Sequence, residues 1–203
     1  MRELIVNVTD IETTGLKQED GHRIIEVAMA LLKIQFNDDN TFAGYKRVGK
    51  TWCQRINPCR NIDAAAQAVH GISLSSLRGE PVWEDVAGRV AKILAASDVA
   101  VAHNVEFDMP FIALELVRIG QEIPDFETFC TLEGGRSATG LGTVPSLQKL
   151  CWAMGVPYNP DEAHAADYDV DCTVDALVKG LNLGYFSFAD VLNEKYGEAS
   201  AEV

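Results

Sequence analysis

Cations and metal-ligating side chains are scarce in this sequence. Its 203 residues carry 17 Lys and Arg against 30 Asp and Glu, a formal net charge of −13. Such an acidic excess excludes non-specific coating of nucleic acid. It still admits a nucleic-acid enzyme whose acids are neutralised by bound cations. The four histidines, at positions 22, 70, 103 and 164, are too scattered for a zinc site. Five cysteines (Cys53, Cys59, Cys130, Cys151 and Cys172) form no CxxC pair, and their number is odd. Free thiols in a reducing, cytoplasmic setting are the expectation. No apolar run approaches the roughly 20 residues of a membrane span; the longest clean one is Val27–Leu32. Met1-Arg2-Glu3 leads into only a few apolar residues before Asp10, which is no secretory signal. Internal repeats, low-complexity blocks and a P-loop glycine pattern are also missing, so nothing supports nucleotide triphosphate binding.

The remainder is ordinary globular composition, 47% hydrophobic and 23% charged. The length suits one domain with a self-sufficient core. Leu4–Val8 reads as a buried strand, Ile24–Phe36 as a long second one, and Thr51–Ile56 as a third closing a meander. Asn37-Asp38-Asp39-Asn40 is a turn signal. Asp63 is positioned to cap a short helix over Ala64–Val69, and Pro81 opens a longer one with Val82, Val86, Val90, Ile93 and Leu94 in helical register. Asp98–Ala102 and Phe126–Leu132 read as strands. Phe107–Ile119, Ser146–Met154, Ala165–Leu181 and Phe188–Tyr196 read as helices. Gly134–Thr143, with four glycines, reads as a flexible loop. The alternation predicts an α/β domain with a mixed five-stranded sheet flanked by helices. Residues 1–183 form the domain in this reading, and residues 184–203 a C-terminal helix with a short polar tail.

Acids stand where acids are costly. Asp10-Ile11-Glu12 follows a buried strand, and alternation puts both carboxylates on one face. They repel each other unless a cation lies between them. A solvated strand end would also carry such a pair, but Thr13-Thr14-Gly15 behind it suggests a turn that brings backbone amides to a ligand. His103-Asn104-Val105-Glu106-Phe107-Asp108 follows another buried strand. Asp108 there suits the first turn of a helix on dipole grounds alone, and Glu106 competes with it. On the helix after His164, the wheel separates the acids. Val170, Val174, Leu177, Val178 and Leu181 make the core stripe. Asp171, Asp175 and Lys179 form a solvated row. Asp169 falls on a flank of small residues without a local partner. Four carboxylates and a histidine form an oxygen-rich set suited to Mg²⁺ or Mn²⁺.

Asp10-x-Glu12-Thr-Thr-Gly, His103-Asn104-x-x-Phe107-Asp108 and His164-x-Ala166-x-x-Asp169 together resemble the three motifs of the DEDD exonuclease superfamily, histidine branch. This is the DnaQ-like family that includes the proofreading ε subunit of bacterial DNA polymerase III and stand-alone relatives. Val69-His70-Gly71-Ile72 and Ser146-Leu147-x-x-Leu150-Cys151 also resemble family segments, and the likeness spans about Leu4 to Leu181. It implies a ribonuclease H-like fold and 3′→5′ hydrolysis of single-stranded DNA or frayed 3′ ends, releasing nucleoside 5′-monophosphates. Two divalent cations, Mg²⁺ or Mn²⁺, are implied, with Asp10, Glu12, Asp108 and Asp169 at the ligand positions and His164 at the general-base position. Thr13, Thr14, Val69, His70, Asn104 and Phe107 match positions that hold the terminal nucleotide. His70 equally suits a satisfied loop histidine, and Phe107 a core residue. The tyrosine branch would place Tyr where this chain has Ala165, so Tyr168 is not expected to act in catalysis.

Some features fall outside this pattern. His103 reads as structural, and Glu26, inside an apolar strand, suits either an acid behind the site or an edge residue. Residues 37–50 form a longer connection than the family leads one to expect. Lys46, Arg47, Lys50, Arg55 and Arg60 concentrate 5 of the 17 basic residues in one stretch, suited to a substrate or partner contact or to a solvated hairpin. Arg136 is a second candidate for phosphate contact. The short tail after Leu181 favours a free-standing or partner-recruited enzyme over a firmly tethered polymerase subunit. The roles open to it are proofreading and DNA repair or degradation. The competing readings are an exoribonuclease in RNA processing, a ribonuclease H-like endonuclease, and a catalytically silent nucleic-acid-binding module.

Overall fold

A computed structural model describes residues 1–140 and 142–199. Leu141, inside the glycine-rich segment, and the last four residues of the polar tail lie outside the described residues. Three antiparallel strands lead the chain: β1 (Arg2–Thr13), β2 (Ile24–Phe36) and β3 (Phe42–Arg47). A short β4 (Trp52–Arg55) also pairs antiparallel with β2, beyond the stretch that β3 occupies. Then come α1 (Ala64–His70), α2 (Trp83–Ala95), β5 (Val99–Ala102), α3 (Val105–Arg118), β6 (Glu127–Cys130) and a single turn, α4 (Thr131–Gly134). Helices α5 (Leu147–Met154), α6 (Ala166–Asn182) and α7 (Ala189–Tyr196) complete the chain.

The sheet order is β3-β2-β1-β5-β6, with β4 beside β2. Strand β5 runs parallel to β1, and β6 parallel to β5. The sheet is mixed, as expected, but has six strands instead of five. The additional one is β3, inside the segment 37–50 read as a connection. Its side chains are half-buried or exposed, so it carries little of the apolar signal by which a strand is recognised. The expected turn at Asn37–Asn40 joins β2 to β3, with Asn40 in the left-handed region and the Asp39 carboxylate accepting from Thr41 N. The end of the predicted strand Phe126–Leu132 is also different, because Thr131 and Leu132 belong to α4.

Helices cover both faces of the sheet. On one face, Leu4, Val6 and Val8 of β1 pack with Leu150 and Cys151 of α5, Val170, Val174 and Leu177 of α6, and Phe186, Phe188 and Leu192 around α7. On the other, Ile11, Val27 and Met29 pack with Val86, Val90 and Leu94 of α2 and Phe111, Ile112 and Leu116 of α3. Alternation therefore sends Asp10 and Glu12 to the α6 side, at the end of β1 where the apolar row stops. Helix α7 is tied to the sheet by Lys195 Nζ against both Asp98 carboxylate oxygens at 2.7 Å and by Tyr196 Oη donating to Glu3 O at 2.7 Å. All five cysteines are free thiols. Among the described residues, no helix is long and apolar enough to cross a membrane.

Candidate active site

The C-terminal ends of the parallel strands β1 and β5 open between α3 and α6, the usual crevice of an open α/β sheet. Each acid reaches it by a different route. Asp10 and Glu12 come from β1, just before a register shift at Glu12/Thr13 that bends the strand and re-aims the residues beyond it. Asp108 comes from the first turn of α3. It is only 2% exposed, and its Oδ1 accepts from Ile11 N at 3.2 Å, which draws α3 onto β1. Glu106, its sequence competitor, points to solvent. Asp169 comes from the first turn of α6 and is buried, among the buried Cys172, Thr173, Ala176 and Gly180. Its Oδ2 accepts from His164 N at 3.0 Å. Asp171, one turn's flank away, is exposed and pairs with Arg47 at 2.7 Å and Thr51 at 2.6 Å. The wheel assignment is correct, except that Arg47 from β3 and not Lys179 is the partner of Asp171.

The four acids feel one another. Burial, then Asp108, Glu12, Asp169 and Glu26, hold the Asp10 carboxyl well above the ordinary carboxylate range. Glu12 is pushed up to about 8 by burial and by Asp169, Glu26 and Asp108. Burial pushes Asp108 up to about 8 although Ile11 N hydrogen-bonds its charged form. Asp169 is raised by burial, against the opposing pull of the His164 N–H. Carboxylates kept in such company make protons or cations welcome. Asp169 Oδ1 is buried without a hydrogen-bond partner among the described residues. An all-oxygen donor set with an orphaned carboxylate oxygen fits a hard divalent cation. Among the described residues no three His, Cys, Asp or Glu side chains are grouped as they stand so as to hold a metal ion. His164 stands exposed at the lip, two residues before α6, with a left-handed backbone (φ 65°).

Beside the acids lies a cavity of about 480 Å³ lined by Glu12, Thr13, Val69, His70 and Phe107 among others. Four of the six residues expected to hold a nucleotide therefore share one cavity with a candidate metal ligand. The other two stand apart. Thr14 is fully buried behind the wall, with Oγ1 3.0 Å from His22 Nδ1 and accepting from Arg23 N at 3.0 Å. Asn104 is exposed at the N-cap of α3 with φ 96°, a second non-glycine residue in an uncommon backbone state at the site. His70 Nδ1 accepts from Ile72 N at 3.0 Å, its Nε2 is buried without a hydrogen-bond partner among the described residues, and the residue lines the cavity. Phe107 also lines the cavity, its ring 5.1 Å from that of Phe111. Val69 and Leu16 are exposed apolar side chains on the rim.

Several residues take other roles. His103 is structural, as expected: Nδ1 lies 3.1 Å from Thr131 Oγ1 and Nε2 3.2 Å from Pro145 O. Asp63 occupies the N-cap of α1 without capping it, and its carboxylate lies 3.5 Å from His22 Nε2. Gly15 does not have the positive φ that the turn reading suggested. It is small because a Cβ there would stand 2.2 Å from the His22 ring. Sequence reasoning passed over His22, and its position beside a glycine left no periodic signal. Three cations of the basic stretch are committed to protein groups: Arg47 to Asp171, Arg55 to Glu26, and Arg60 to Gly21 O. Arg136 pairs with Glu133 at 2.9 Å. Tyr168 Oη accepts from Asn159 N, away from the acids.

Known proteins resemble this chain in sequence and fold. The exonuclease family profile RNase_T matches residues 8–177. Ribonuclease T of Shewanella sp. (strain W3-18-1) is 32% identical over 180 residues, covering 83% of this chain and 77% of that protein. The DNA polymerase III subunit epsilon of Escherichia coli (strain K12) is 25% identical over 205 residues, covering 96% of this chain and 80% of its own. The 3′-5′ exonuclease DinG of Bacillus subtilis (strain 168) is 29% identical, and this chain spans only 16% of its length. Among solved structures, exonuclease X in complex with 5′ overhanging duplex DNA shares the fold at a TM-score of 0.62 and 24% identity, over 92% of this chain and 99% of that one. The nuclease domain of 3′hExo, a DEDDh family member bound to rAMP, does so at 0.64 and 17%, over 89% and 92%. The chain belongs to the exonuclease family of Ribonuclease T and the polymerase III epsilon subunit, and is a 3′–5′ exonuclease, a hydrolase, of that type.

Proposed function

We propose that this exonuclease removes nucleoside 5′-monophosphates from single-stranded DNA or frayed 3′ ends, using two divalent cations, Mg²⁺ or Mn²⁺. The observation that carries the proposal is the meeting of Asp10, Glu12, Asp108 and Asp169, each raised in pKa, with an unpartnered Asp169 oxygen among them. These four carboxylates are the groups to hold the cations, whose chemistry is to activate water and stabilise the leaving oxygen. In this reading the exposed His164 takes the proton from the attacking water. The water oxygen bonds to phosphorus, the phosphorus–O3′ bond breaks, and the departing O3′ takes a proton from solvent to become the 3′ hydroxyl of the shortened strand. The cavity beside Glu12 takes the terminal nucleotide, with Thr13, Val69, His70 and Phe107 among its lining. A polymerase or another protein is a candidate partner, since the epsilon subunit is among the relatives. The exonuclease domain is proposed to be residues 1–183.

RNA is the second reading, favoured by the 32% identity to a protein named Ribonuclease T. The deciding experiment offers the enzyme a 5′-labelled DNA oligomer and its RNA twin, with Mg²⁺ or Mn²⁺ and with EDTA. A metal-dependent ladder on DNA at the higher rate supports the proposal. Faster shortening of the RNA moves the substrate to that class, and equal cleavage of circular single strands overturns 3′-end dependence.

A further inference from the structure

Glu26 is a buried acid that the mechanism above leaves unused. It is 5% exposed, near the start of β2, directly across the strand pair from Glu12. Like charges facing each other across a ladder destabilise it. Glu26 also adds to the repulsion felt by Asp10 and Glu12. A residue that costs this much and holds no nucleotide calls for a compensating contact, and the structure has two. Its Oε1 accepts from Arg55 Nε at 2.9 Å, so β4 supplies the counter-charge. Its Oε2 accepts from Ala166 N at 3.3 Å.

The second contact matters because of where Ala166 lies. It is the first residue of α6, whose opening N–H groups have no partner within the helix. The N-cap position is Ala165, which has no side-chain acceptor and makes no capping bond. Glu26 provides from another strand the acceptor that residue 165 lacks, and its charge sits at the positive end of the helix. That turn carries the catalytic elements on both sides. Asp169 is three residues on, and His164, bonded through its N–H to Asp169, is two residues back.

We infer that Glu26 is a positioning residue: by capping α6 from β2 it fixes Asp169 and His164 against Asp10 and Glu12, with Arg55 as its counter-ion. This rests on the exonuclease reading for its consequence in catalysis, while the cap itself does not. The test compares wild type, Glu26→Ala and Glu26→Gln, the last of which keeps a carbonyl acceptor for Ala166 N. Steady-state kinetics on a single-stranded oligomer should show kcat lowered about 10- to 100-fold in Glu26→Ala with KM within about twofold, the usual cost of losing an orienting partner. Glu26→Gln should recover a large part of that loss. Amide exchange over residues 164–170, measured without substrate or metal, should be about fivefold faster in Glu26→Ala and near wild type in Glu26→Gln. Wild-type kcat in Glu26→Ala, or unchanged exchange over residues 164–170, overturns the inference. So does a Glu26→Gln enzyme as impaired as Glu26→Ala, because charge and not the cap would then be at work. If wild type itself shortens no oligomer, the exonuclease reading fails, and the exchange data still decide the cap.

Discussion

Replacing Glu12 with Gln should make the protein more stable and inactive at once. The carboxyl is raised from its ordinary value of 4.5 to about 8 by burial and by the neighbouring acids Asp169, Glu26 and Asp108. A group whose folded pKa is raised costs nothing below its unfolded pKa, where both states are protonated. The cost then grows as pH rises toward the folded value. At about 1.4 kcal/mol per pKa unit, the ceiling near pH 8 is about 5 kcal/mol. Glu12 keeps partial exposure, so solvent screening reduces this, and about 2 kcal/mol is the expected gain for the neutral isostere. Urea unfolding in EDTA measures it. At pH 8 the Glu12→Gln midpoint should lie above wild type, at pH 5 the two should nearly coincide, and Mg²⁺ or Mn²⁺ should raise wild type more than the variant. An equal or lower stability of Glu12→Gln at pH 8 would refute the electrostatic reasoning, because Glu12 would then be a net stabiliser and no longer a carboxylate held at a cost for chemistry.

Other expectations concern single side chains. Burial holds the His103 imidazole down at about 4 from its usual 6.5, so its contribution is present above pH 6.5 and lost as pH falls toward 4. Wild type should lose about 2 kcal/mol more than His103→Gln between pH 7.5 and pH 5, read from urea midpoints; parallel losses would contradict this. His164→Ala should lower kcat by about 10²-fold or more while KM stays near wild type, as expected for a proton acceptor. Steady-state kinetics in which KM carries the effect would reassign it to binding. Val69 is 56% exposed and lines the cavity proposed for the terminal nucleotide, so Val69→Ala should raise KM about three- to tenfold with an unchanged melting temperature. An unchanged KM would remove it from the cavity's working wall.

Reading the sequence succeeded where one signal dominated. Continuous apolar runs gave β1, β2 and β5, because strands buried on both faces show as unbroken hydrophobic stretches. Strand β3 escaped because it lies at the sheet edge with polar side chains, and only its pairing with β2 makes it a strand. On α6 the wheel separated Asp169 from Asp171, since burial on a helix follows its period. Contacts between distant segments were beyond reach. No local pattern tells that Glu26 caps a helix 140 residues later, that Arg47 answers Asp171, or that Gly15 makes room for His22. The basic stretch was legible only as charge: the carboxylates and carbonyls that engage Arg47, Arg55 and Arg60 come from elsewhere in the chain.

The central claim is that buried, unpaired carboxylates and not acidity in general carry the reaction. Asp169 and Asp171 test it within one helix turn, the first buried with an unpartnered oxygen, the second exposed and paired with Arg47. Single-turnover shortening of a 5′-labelled single-stranded DNA oligomer should be measured with Mn²⁺ for wild type, Asp169→Asn and Asp171→Asn. The expected result is a loss of about 10³-fold or more for Asp169→Asn and a rate within about threefold of wild type for Asp171→Asn. Equal losses, or an active Asp169→Asn enzyme, would contradict it.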